Sequence, residues 1–266
     1  MATKKLKFEF KTACEAMLHR LGAVPGTHRD LMIPTVAGPL QCTAYPDWLA
    51  CVFDDVNAAR ARVGAGTLNP FSGKWNWMYD KPGPQDLVHL YEQVARVVVP
   101  DGEVAEMLQE YTDTLLQLNG KGDVNTRLTY MYRDADNYKV GKEVVFKGIF
   151  RLGEDLAPML LALDRSEGST SLIPGQVGLD DLQDSFTGCA SRWDPERDHP
   201  WHEVTSVAPV LAAELPATDG RSIFEFSRDV IRAAVGDGWN EAYLPPFHFS
   251  VCSFSRPFPF HLSRAL

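Results

Sequence analysis

Residues 126–150 read TRLTYMYRDADNYKVGKEVVFKGIF, and this stretch decides the fold. Two runs rich in Tyr, Thr, Val and Phe flank a polar pentapeptide, Arg133-Asp134-Ala135-Asp136-Asn137. Aromatic and β-branched side chains suit a pleated surface, whereas Asp and Asn bond nearby backbone groups and favour turns. The pattern predicts a β-hairpin with a loop of about five residues. On the return strand, Tyr138, Val140, Val144, Phe146 and Phe150 share one face, with Lys139, Glu143 and Lys147 on the other. Such period-two alternation predicts one packed face and one wet face.

Upstream, Phe10, Cys14, Met17, Leu18 and Leu21 recur at helical spacing within Leu6–Leu21, and Gly22 is a natural stop. Residues 23–37 read as loop. The runs Leu40–Tyr45 and Trp48–Phe53, separated by Pro46-Asp47, predict a second hairpin. Asp54 or Asp55 can cap a helix reaching Val63, and an aromatic strand, KWNWMY, follows the turn NPFSG. Pro84 opens a helix lined by Leu87, Leu90, Tyr91, Val94 and Val98. Asp101 can cap the next, whose stripe is Val104, Met107, Leu108, Tyr111, Leu115 and Leu118. Asn119–Asp123 has linker composition.

Beyond the hairpin, the pattern predicts a helix from Glu154 or Asp155, a short helix over Leu179–Phe186 and a strand near Trp201–Val207. Ile223, Phe226, Val230, Ile231 and Ala234 mark a final helix closed by Gly236, and the tail from Leu244 is rich in Phe, Pro and Ser. The expected architecture is α+β, with two small modules, each a short antiparallel sheet covered by helices. They span residues 1–120 and 121–215, and 216–266 form a C-terminal helix and Phe/Pro-rich tail.

The 266 residues carry 35 acidic against 26 basic side chains, a formal charge of −9. That excess argues against coating nucleic acid or an anionic membrane. No run approaches the ~20 apolar residues of a membrane span. The basic start, MATKKLKFEFK, lacks the apolar core of a secretory signal. Five widely spaced cysteines without a C-x-x-C pair disfavour a disulfide framework or zinc knuckle. The chain reads as soluble, cytosolic and reduced, with no cofactor expected.

Gly73-Lys74 fails as a phosphate loop, because Gly66 is too far away and Trp75 stands where Ser or Thr would hold magnesium. Lys74, Trp75 and Trp77 can instead present cationic and aromatic faces to a partner, or the two tryptophans can fill a core. The Asp134 segment fails as a calcium loop, since Lys139 and Val145 stand at positions six and twelve. Asp134, Asp136 and Asn137 then serve a turn or a ligand. His199 and His202, in DHPWHE, are the one close histidine pair. Pro200 prevents a helix there, and an extended segment points the two imidazoles apart, which favours a structural loop over a metal site or general base. Lys139, Lys142 and Lys147 beside Tyr130, Tyr132 and Tyr138 suggest a single-strand platform, which Glu143 and the net charge oppose. Neither G-x-S-x-G nor G-x-G-x-x-G occurs.

Two stretches carry a resemblance. Residues 33–80, with IPTVAGPL, DWLACVFDDVNAA and LNPFSGKWNW, resemble uncharacterised proteins of bacterial plasmids, prophages and integrative elements. Residues 126–205, with YRDADNYK, LIPGQVGLDDLQ and DHPWHE, are similar to another small bacterial module. The resemblance implies an accessory gene of bacterial mobile DNA and brings no catalytic residue with it. The expected function is binding of a host or element-encoded protein, in the manner of anti-CRISPR or anti-restriction inhibitors of host defence. The expected surface comprises Lys74, Trp75, Trp77, Arg133, Asp134, Asp136, Asn137, Tyr138 and Lys139. The alternatives are a metal-assisted hydrolase using His199 and His202, and a nucleic-acid-associated maintenance factor.

Overall fold

The computed structural model describes residues 8–27, 30–35, 38–53, 74–78, 80–98, 102–151, 155–165, 169–183 and 199–241. Strands β1 (Val24–Pro25), β2 (Leu31–Ile33), β3 (Leu40–Ala44), β4 (Trp48–Phe53) and β5 (Lys74–Met78) pair in chain order as an antiparallel sheet. Alternation puts Leu40, Cys42 and Ala44 of β3 and Leu49, Cys51 and Phe53 of β4 inside. Helix α1 (Phe10–Arg20) buries Phe10, Cys14, Met17 and Leu18 against that face. The short strands β1 and β2 correct the loop expected over 23–37. Gly26 N–H bonds Asp30 O at 2.8 Å, and buried Asp30 accepts from the Gln41 amide. A side chain thus fixes a hairpin whose own residues carry little β pattern. The helix expected over 54–63 lies outside the described residues.

The second sheet contains β6 (Val124–Arg133), β7 (Lys139–Phe146), β8 (Ser171–Leu172) and β9 (His202–Leu211), all antiparallel, in the order β7-β6-β9-β8. Helices α2 (Pro84–Ala95), α3 (Gly102–Leu118), α4 (Leu156–Ala162) and α5 (Ile223–Arg232) flank the sheets, and a π turn over Ala233–Asp237 ends α5. The fold is α+β, with two short antiparallel sheets flanked by helices. Among the described residues, no helix is long and apolar enough to cross a membrane.

The 126–150 hairpin forms, with pairs running from Thr126↔Phe146 to Arg133↔Lys139. Leu128, Tyr130, Tyr132, Val144 and Phe146 are its buried face. Its base is pinned from two sides. The Tyr111 hydroxyl of α3 meets Thr126 Oγ1 at 3.0 Å and accepts Phe150 N–H at 3.0 Å, while Thr126 donates to Gly148 O at 2.8 Å. Phe146 stacks on Phe226 of α5, ring centroids 4.4 Å apart, and the Arg221 guanidinium lies 5.7 and 5.4 Å from the two rings. Arg221 is held by Asp219 at 2.8 Å and Asp229 at 2.9 Å, and the hydrogen bonds from Arg221 keep the Asp219 carboxyl below its ordinary range.

Two expectations shift. The loop is Asp134–Tyr138, one residue later than the pentapeptide, so Tyr138 leaves the packed face and is 65% exposed. The helix expected at Leu179–Phe186 is absent over its described part, 179–183; a 3-10 turn occupies Pro174–Val177 instead. Distant side chains take the backbone groups a helix would need. Arg221 binds the carbonyls of Val177 at 2.7 Å and Gly178 at 3.2 Å, and His202 takes Leu182 N–H at 3.0 Å. Gly178 has φ +69, a left-handed conformation in which a side chain would be strained and would meet Arg221.

Candidate functional site

The two stretches singled out in the second half, 133–139 and 199–203, meet at one end of the second sheet. The β6–β7 pairing continues two residues past Met131↔Glu203, the last pair of β6 with β9, so the hairpin tip extends beyond its neighbouring strand. Asp134 organises the tip. Its N–H donates to Tyr138 O at 3.1 Å, its Oδ1 accepts Tyr138 N–H at 2.8 Å, and its carbonyl accepts Asn137 N–H at 3.0 Å. Asn137 adopts φ +65, a left-handed turn conformation that Asn tolerates because its short amide can bond locally. Tyr138 is displayed on this fixed turn between Asn137 and Lys139. At its foot Arg133 pairs with Glu203 at 3.2 Å, joining the two stretches.

Beneath the tip, the Tyr132 ring lies 5.2 Å from both His199 and His202. His202 is 0% exposed. Leu182 N–H donates to its Nε2 at 3.0 Å, which assigns the proton to Nδ1, and Nδ1–H donates to Pro200 O at 3.2 Å. Burial pushes its pKa down to about 4, so the imidazole is neutral at pH 7 even with Asp181 Oδ1 3.5 Å from Nε2. Tyr130 donates to Asp180 O at 3.0 Å, and burial raises its phenol pKa. Lys142 pairs with Asp180 on the same side.

This arrangement bears directly on chemistry. Both nitrogens of His202 are bonded to the backbone, so acting as a metal ligand or general base would break the bond to Leu182. His199 Nδ1 is buried without a hydrogen-bond partner among the described residues, although the residue as a whole is half-buried. Among the described residues, no group of three His, Cys, Asp or Glu side chains is placed to hold a metal ion. Tyr130 and Tyr132 are buried, so of the three hairpin tyrosines only Tyr138 offers its ring to solvent. The single-strand platform therefore loses two of its three rings.

Lys74, Trp75 and Trp77 belong to β5, in the other sheet. Register sets Trp75 opposite Cys51 and Trp77 opposite Leu49, two buried positions of β4; the side chains of 74–78 lie outside the described residues. A cleft of about 630 Å³ is lined by Gly175, Gln176, Asp229, Arg232, Trp239 and Asn240. Several of its polar groups are bonded within the protein: Gln176 to Gly238 O and Asn240 N–H, and Asp229 to Arg221 and Arg232. Asp180–Gln183, which complete the tip's underside, escape sequence reading, because nothing local marks them as partners of residues twenty to fifty positions away. No family model, curated protein or solved structure matches the chain.

Proposed function

We propose that the chain is an accessory protein of bacterial mobile DNA that binds a host or element-encoded protein, acting as an inhibitor of a host defence system. The observation that carries the binding reading is Tyr138, 65% exposed on a turn already fixed by Asp134 and Asn137. Interface energy concentrates in exposed Tyr, Trp and Arg anchors, and a pre-ordered loop loses little entropy when it docks. Arg133, Asp136 and Lys139, in and beside the same turn, carry both charge signs, which favours a charge-patterned protein surface over a polyanion. The mobile-element setting rests on the resemblance of residues 33–80 and 126–205.

The test is affinity capture by the tagged full-length chain from a bacterial host lysate, repeated with Tyr138→Ala and with Lys121→Ala at the opposite end of β6. The expected result is one near-stoichiometric partner that survives Lys121→Ala and is lost with Tyr138→Ala. Capture indifferent to Tyr138→Ala overturns the surface assignment. Capture of nothing by the wild-type chain overturns the interaction reading.

A further inference from the structure

We propose that Cys42 and Cys51 form a dithiol–disulfide couple, in which a hydroperoxide closes a cross-strand bond inside the first sheet and a dithiol reopens it. The two cysteines are directly opposite in β3 and β4, and their free sulfurs lie 3.0 Å apart. Their position on the ladder follows from the turn. Tyr45 N–H bonds Trp48 O at 2.8 Å, so that pair is hydrogen-bonded. Alternation makes 44/49 non-hydrogen-bonded, 43/50 hydrogen-bonded and 42/51 non-hydrogen-bonded. Non-hydrogen-bonded partners approach to a Cα separation of about 4.5 Å, within the span that a disulfide bridges. Closure thus needs rotation about side-chain bonds and no change of register.

The two thiols give up two electrons and two protons, and one molecule of hydrogen peroxide takes them up as two molecules of water. In the first step one sulfur attacks a peroxide oxygen, the O–O bond breaks, a sulfenic acid forms, and the departing hydroxide leaves as water with the first thiol's proton. In the second, the neighbouring sulfur attacks that sulfenic sulfur, the S–O bond breaks, and hydroxide leaves as water with the second thiol's proton. Burial holds the Cys51 thiol protonated, so the first step is slow and only a small uncharged oxidant reaches it. The second step is fast, because its nucleophile is already in contact, and it outruns further oxidation of the sulfenic acid. Cys14, packed in the same core from α1, has no cross-strand position and stays reduced, its pKa pushed up to about 12 by burial.

The sequence provides a clean readout. Trypsin cuts after Arg29 and Arg60 and nowhere between, so Cys42 and Cys51 share one peptide while Cys14 lies in another. The reduced full-length chain is exposed to hydrogen peroxide, unfolded in a maleimide, digested and weighed. The expected peptide 30–60 is two hydrogens lighter and carries no maleimide, and the Cys14 peptide is fully labelled. Dithiothreitol applied before the maleimide restores both labels. Recovery of peptide 30–60 with two labels after peroxide overturns the proposal. So does its recovery with unlinked sulfinic or sulfonic cysteines, or a cross-link from either residue to Cys14. A Cys51→Ala chain, which keeps a small apolar side chain in the core, is expected to show no loss of hydrogen, and an unchanged mass shift there also overturns it.

Discussion

Tyr138 and His202 lie at the same end of the second sheet in opposite surroundings. Tyr138 is held by a turn made from its own neighbours and exposes its ring; His202 is enclosed, with each nitrogen bonded to the backbone of a different segment. Both residue types serve catalysis and recognition elsewhere, so chemistry alone does not rank them. Surroundings do. A side chain whose polar atoms are all satisfied inside the protein works for the fold, and one displayed on a rigid turn is available to a partner. Arg133–Glu203 is one of the contacts that tie the two stretches together, and as a half-exposed pair it contributes little.

The contrast is sharpest on mutation of the buried member. His202→Ala leaves Leu182 N–H and Pro200 O without partners and opens a cavity, so it is expected to cost roughly 3–5 kcal/mol in urea unfolding. A loss below about 1 kcal/mol would remove His202 from the fold's framework.

Acid should act on the same residue. Its folded pKa of about 4 lies below the ordinary 6.5, so the unfolded chain takes up the proton first as pH falls. Stability from this group is full above pH 6.5 and declines between there and about pH 4, with no further loss below. The total is roughly 3 kcal/mol, read as the difference in pH profile between wild type and His202→Gln. Parallel profiles would mean that His202 is not held neutral.

At the tip, Asp134→Ala removes the acceptor for Tyr138 N–H and should cost about 0.5–1.5 kcal/mol while weakening partner capture through a loosened loop. The smallest effect on stability is expected for Tyr138→Ala, within about 0.5 kcal/mol, although partner capture is lost. If that substitution instead unfolds the chain, the comparison fails and the tip belongs to the fold.

Much of this was legible in the residues. The 126–150 alternation gave the hairpin and its buried Val144, Phe146 and Phe150, and the helical stripes of α1, α2 and α5 match their buried residues. Local signals extend to a cap and a register. Ser222-Ile-Phe-Glu225 is a capping box, confirmed by the bond from Ser222 N–H to Glu225 at 2.7 Å. The turn at Pro46-Asp47 also fixes which residues face each other, so 42 and 51 are opposite as surely as 45 and 48. The loop at Asp134–Tyr138 was displaced by one residue, because Tyr138 has strand propensity but its N–H is captured by Asp134 instead of the ladder.

Neighbours along the chain set alternation, stripes, turns, caps and the register of short hairpins. Those rest on interactions within a few residues, where the spacing is visible in the letters. Long-range contacts alone set that His202 answers to Leu182, that Arg221 takes the carbonyls of Val177 and Gly178, and that the hairpin tip and Glu203 share one end of a sheet. These contacts join segments separated by 20 to 70 residues, and at His202 burial leaves polar groups that must find a partner wherever the fold brings one.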